Sequence, residues 1–282
     1  MPVSAVATAA LLRVVLVALA IFATPVGRAF AEPVLLPDLA DRVDGREDVT
    51  FADLVRLVVS GTPGNETIAV REIGTAVVED LEPAAAAALR LAATPVRSGG
   101  LDRMALLLDF GRGRDVVGLA VLAIVDMAGT PKLLDAANVA TGEHTSFLDP
   151  ARMRVGMNDE LLATRSMHFN SSQSYTTTHL ILARNDRLEL VDTIFTFGER
   201  LCAFERTQQL DIRQGAGAPM ADIRATVTET TFASDEQCGD TAAPEPGTRA
   251  IAVTYHWDTT RQRYIADSDA LAALARQNED RF

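Results

Sequence analysis

The chain has 282 residues, 48% of them hydrophobic and 23% charged, with a formal net charge of −12. Such a composition excludes a disordered tail, a collagen-like repeat and an acidic solvating segment, and the length allows one large domain or two small ones. A chain this acidic repels phosphate backbones, which disfavours nucleic acid as a partner.

Residues 1–31 carry no acid and two bases, Arg13 and Arg28. The apolar run Val14 to Ala23 follows Arg13, and Ala29-Phe30-Ala31 supplies a small-x-small site before Glu32-Pro33. This order predicts a secretory signal peptide cleaved after Ala31. The competing reading is an uncleaved anchor, but the uncharged stretch Val14 to Gly27 is 14 residues long. Spanning a bilayer takes roughly 18–20. Cleavage removes two arginines and no acid, leaving 251 residues and moving the formal charge from −12 to −14. No second long apolar run follows, so no membrane span is expected. Lys132 is the only lysine among 26 basic residues. That skew suggests a GC-rich bacterial genome, and with the signal peptide it predicts a periplasmic or secreted protein.

Two parts are expected after the signal: a helix-containing stretch, 32–100, and an antiparallel β-rich body with a C-terminal helix, 101–282. No clear linker separates them, so they read as one continuous domain. Glu32 to Asp48 is rich in Pro and Asp and reads as irregular. Thr50-x-x-Asp53 can cap a helix whose apolar face is Phe51, Leu54, Val55 and Val58, stopped by Gly61. Thr67 to Ile73 reads as a short strand. Pro83 opens a second predicted helix, the alanine-rich run Ala84 to Ala93, which Thr94-Pro95 ends.

From Met104 the apolar period changes to two. Met104, Leu106, Leu108 and Phe110 alternate, Gly111 to Arg114 turns, and Val116 to Val125 is apolar throughout, as in a strand covered on both faces. Strands are then expected at Pro131–Val139, Leu161–Phe169, Tyr175–Arg184, Arg187–Phe197, Leu201–Arg213, Ile223–Phe232, Arg249–Trp257 and Arg263–Ala266. Asn185-Asp186 is a two-residue hairpin signal. Ala233 to Thr248 is the longest polar insertion, and Ser268-Asp269 caps a last helix, Ala270 to Gln277. Three strand-turn-strand units recur at irregular spacing. The expected fold is α+β: mainly an antiparallel β-meander, partly propeller-like or a sandwich, with two N-terminal helices and one C-terminal helix.

The two cysteines, Cys202 and Cys238, lie 36 positions apart with no C-x-x-C spacing. In an oxidising compartment such a pair is expected to form a disulfide. The densest polar stretch is His168 to His179, which holds Asn170, Ser171, Ser172, Ser174 and Tyr175. It reads first as a solvated turn rich in turn formers; the alternative is a ligand-binding lip at a hairpin tip, with His168, Asn170, Tyr175 and His179 as contacts. His168 and His179 lack the spacing of a metal site, and no third ligand is placed near them, so no metal or cofactor is expected. No G-x-S-x-G elbow supports a serine hydrolase. Asp159-Glu160 are adjacent, so on a strand they point to opposite faces and cannot flank one glycosidic bond. Gly111-x-Gly113 lacks the third glycine and the following helix of a dinucleotide site. These exclusions leave an exported, non-catalytic module that binds a protein or a small ligand. The alternative is a hydrolase with the tip 168–179 in its active site.

Overall fold

A computed structural model describes residues 33–62, 65–82, 89–112, 118–233 and 244–281. The expected signal peptide, 1–31, Cys238 and most of the polar insertion lie outside them.

A small hairpin opens the described chain, β1 (Arg42–Val43) and β2 (Arg46–Thr50), with Gly45 turning at φ 74°. α1 (Phe51–Val55) follows through the expected capping box. The Thr50 hydroxyl accepts from the Asp53 N–H (3.3 Å), and the Asp53 carboxylate accepts from the Thr50 N–H (2.9 Å). Gly61 does not stop this helix. It lies in β3 (Ser60–Thr62) at φ 103°, where a Cβ would stand 2.2 Å from the Asn65 carbonyl oxygen of β4 (Asn65–Glu72). Only glycine fits that approach.

The second N-terminal helix is a correction. Residues 83–88 lie outside the described set, and Arg90–Ser98 is a strand, β6, after the short β5 (Val78–Leu81). Leu91 and Ala93 enter one core while Ala92 and Val96 enter another, and the whole strand pairs with β7 (Leu101–Arg112). Burial on both faces overrides alanine's helical preference. Pro95 is tolerated because β6 is an edge strand. The seam drawn at residue 100 falls in the Gly99-Gly100 turn of this hairpin. β8 (Gly118–Asp126) is buried along almost its full length, and β9 (Lys132–Asn138) returns beside it. The resulting sheet runs β3-β4-β9-β8-β7-β6 with β5 on β4, and only β4 and β9 pair in parallel.

The second sheet is an eight-stranded antiparallel meander in chain order: β10 (His144–Arg154), β11 (Glu160–Phe169), β12 (Gln173–Arg184), β13 (Arg187–Leu201), β14 (Phe204–Gln214), β15 (Ile223–Ala233), β16 (Gly247–Asp258) and β17 (Arg263–Ala266). The sequence shows no strand at β10, because four residues around Pro150 drop out of its register with β11. α2 (Ala270–Glu279) ends the chain, but its N-cap Asp269 makes no side-chain cap bond. Neither sheet forms a propeller, since neither closes and no blades repeat around an axis.

Three cores stack these layers. α1 and the first hairpin cover one face of the seven-stranded sheet through Phe51, Leu54, Leu106 and Val121. Its other face packs Leu107, Leu122 and Ile124 against Phe147, Leu162 and Ile181 of the meander. The meander then doubles back between β13 and β14. Leu161, Leu180 and Leu182 meet Ile223, Val253 and Tyr255 in a third core sealed by Leu271 and Leu274 of α2. Val253 and Tyr255 are buried there, and Tyr255 donates to Asp192 at 2.5 Å.

Polar clasps hold the first two sheets in register. Arg103 grips Asp186 with two nitrogens (2.9 and 3.1 Å) and also meets Asp126. Asp186 belongs to the expected hairpin turn, where Asn185 and Asp186 adopt φ 50° and 60°. Asp159 accepts from the Gly99 N–H, and Glu160 accepts from the Arg97 N–H while pairing with Arg152. Asp159 and Glu160 therefore join sheets.

Candidate functional site

The polar hairpin tip is the turn between β11 and β12. Asn170 shapes it: its Oδ1 accepts from the Ser172 and Gln173 N–H groups (3.0 and 2.8 Å), and its Nδ2 donates to Gln173 Oε1. An asparagine that satisfies the backbone two and three residues on makes a tight turn without help from elsewhere.

The neighbouring hairpin, β13–β14, stands against this turn. The Arg200 N–H donates to the Ser172 carbonyl at 2.8 Å. Gly198 allows the contact, because a Cβ there would stand 2.7 Å from the Ser174 hydroxyl. Between the two hairpins lies a cleft of about 230 Å³, lined by Phe169 to Ser174, Gly198 to Arg200 and Glu205 to Thr207. Its charges are unequal in freedom. Arg206 is committed to Glu199 at 2.5 Å, both side chains largely buried. Arg200 is exposed and has no carboxylate partner among the described residues.

The four residues singled out from the sequence do not converge. Asn170 lines the cleft. His168 and Tyr175 are partners on adjacent strands with ring centroids 6.5 Å apart. His168 Nδ1 lies 3.4 Å from Glu143 Oε1. Tyr175 packs on Phe195 and Phe197 at 5.0 and 5.2 Å. Burial, and then the charge of Glu279, raise its hydroxyl above the usual phenol pKa. His179 is four rungs away, opposite Thr164, and only 3% exposed. Burial pushes its imidazole below the ordinary value. Strand parity separates the two faces of β12, but here both faces are covered, so it does not reveal that burial.

Arg200, Glu205 and the rest of the opposite wall have no local sequence signal except Gly198. They come from another hairpin and reach the tip only through register. Among the described residues, no histidine nitrogen is hydrogen-bonded to a serine hydroxyl, and no three metal-ligating side chains cluster. Two larger hollows have their cations already engaged. Arg46, in one of about 600 Å³, bonds the Met127 and Gly129 carbonyls and Asp48. Arg71, in one of about 350 Å³, bonds Asp135 and the Leu188 carbonyl. The chain matches no protein-family model, no curated protein and no solved structure.

Proposed function

We propose that this chain is an exported, non-catalytic binding module that holds a small polar ligand bearing an anionic group in the cleft beside the Asn170–Ser174 turn. Arg200 carries the reading. It offers an exposed guanidinium at a cleft whose other groups are mostly hydroxyls and amides. A guanidinium presents paired donors to a carboxylate or phosphate, and hydroxyls and amides complete the shell.

The export part rests on the order of charges and apolar residues in 1–31, and on the two cysteines. Pairing between β14 and β15 supports a Cys202–Cys238 disulfide. Ala233 is the register partner of Phe204, which follows the Cys202-Ala203 turn, and Cys238 comes five residues after Ala233.

An amide-resolved NMR titration with acetate and with inorganic phosphate tests the site. Shifts confined to 170–174 and 198–200, and lost in Arg200→Ala, are expected. At about 10 mM anion even a millimolar site is mostly filled, so silence there overturns the reading. The His168–Glu143 contact favours a second reading, hydrolysis with His168 as base. Turnover of a nitrophenyl ester that His168→Ala abolishes would put that reading first.

A further inference from the structure

The split in the meander leaves an unpaired backbone edge. β13 and β14 share three rungs, from Glu199–Arg206 to Leu201–Phe204, and then diverge. The two-residue turn Cys202-Ala203 makes Leu201 and Phe204 a hydrogen-bonded pair. By alternation, the odd residues of β13 and the even residues of β14 turn their N–H and C=O groups toward the split.

Side chains cap the β13 side. The Phe197 N–H donates to Gln208 Oε1 (2.9 Å), the Phe195 carbonyl accepts from Asn278 Nδ2 (3.5 Å), and the Thr193 N–H donates to Asp192 Oδ1 (2.8 Å). The β14 side beyond Gln208 is bare. Among the described residues, nothing bonds the outward groups of Leu210, Ile212 and Gln214. The strand itself is regular, paired without interruption to β15 from Phe204 to Gln214. It is therefore a straight template for another strand, the kind of edge that proteins otherwise blunt or cover.

We propose that this edge pairs antiparallel with the same edge of a second copy of the chain, across a two-fold axis at Ile212. The side-chain pattern selects both partner and register. Leu210 and Ile212 turn toward the third core and are half-buried. Asp211 and Arg213 lie on the other face with exposed side chains and pair with each other along the strand at 2.6 Å. With Ile212 opposite its own copy, each Asp211 also faces the partner's Arg213, so the two exposed in-strand pairs merge into one cluster of four alternating charges. The neighbouring registers, centred on Asp211 or Arg213, set like charges opposite each other, which is unfavourable. A self-complementary strip of this kind is what an isologous interface requires. It would also cover the half-buried flanks of Leu210 and Ile212.

Sedimentation of the purified exported chain at about 10 µM, a concentration that reports micromolar association, tests this. The wild type should sediment at twice the chain mass. Gln214→Pro removes one outward N–H and leaves the β14–β15 ladder intact. Asp211→Arg sets arginines opposite each other. Each should weaken the dimer at least about tenfold with unchanged circular dichroism. The exchange Asp211→Arg with Arg213→Asp should restore the dimer. A monomeric wild type overturns the proposal, as does a dimer that ignores all three variants. A monomer that instead captures an extended peptide would also overturn it, assigning the edge to a different partner.

Discussion

His179 shows how one residue can couple this fold to acid. It is 3% exposed, its Nδ1 has no partner among the described residues, and burial lowers its pKa. The folded chain therefore keeps it neutral over a range in which the unfolded chain, near 6.5, is already protonated. A depressed folded pKa contributes stability above the unfolded value and loses it as pH falls. The unfolding free energy should fall as pH drops below about 6.5, with a limiting slope of about 1.4 kcal/mol per pH unit, and the melting temperature with it. His179→Leu should flatten that stretch of the curve. Parallel wild-type and variant curves would assign the slope elsewhere. Glu229 acts lower down. Burial raises its carboxyl, but hydrogen bonds from Arg281, Gln208 and Arg249 outweigh this and hold it at about 2. Its contribution is lost between about pH 4.5 and pH 2.

At the scale of elements, α2 does what a strand would do. Where β13 and β14 part, the amides of Asn278 and Gln208 bond each other in both directions at 2.9 Å. They also reach the Phe195 carbonyl and the Phe197 N–H, which the missing ladder would otherwise pair. Asn278→Ala removes one amide of the pair at a fully buried position. Leaving buried polar groups unmet costs about 1–3 kcal/mol each. The unfolding free energy should fall by that amount, read as a lower urea midpoint at an unchanged slope; a change under about 0.5 kcal/mol would class Asn278 with ordinary surface substitutions. Nothing in the helical spacing of Leu271 and Leu274 announces this role, because it depends on which strands diverge. Strong local signals were legible: the capping box at Thr50, the Asn185-Asp186 turn, and the period-two strands from Met104 on. What failed was decided by tertiary context. The alanines of β6 are good helix formers placed between two cores, and β10 is too irregular to show a period. The candidate site divides in the same way. Its Asn170 turn is local and readable, while its Arg200 wall is set by register.

For the whole molecule, the central question is whether this fold is built for an oxidising compartment. The two large sheets are already locked by polar contacts such as the largely buried Arg71–Asp135 pair of the seven-stranded sheet, whose partners bond the Leu188 carbonyl and N–H of β13 at 2.7 and 2.8 Å. At the Phe204–Ala233 end, β14 and β15 are joined by backbone pairing to β13 and β16. A Cys202–Cys238 bridge would tie the polar insertion after Ala233 back to the β13–β14 turn, closing a loop of 36 positions. In the chain-entropy model this restricts the unfolded state by about 3–4 kcal/mol. For a chain of this size, that corresponds to a melting shift on the order of 10 °C. Expressed with residues 1–31 in a bacterium, the protein should be recovered outside the cytoplasm, beginning at Glu32 and titrating no free thiol. Reductant should then lower its melting temperature by roughly that amount. Two titratable thiols in the protein as recovered would remove the disulfide. An N-terminus still at Met1 would remove the cleaved signal, and with it the ground for seeking ligands outside the cytoplasm rather than within it.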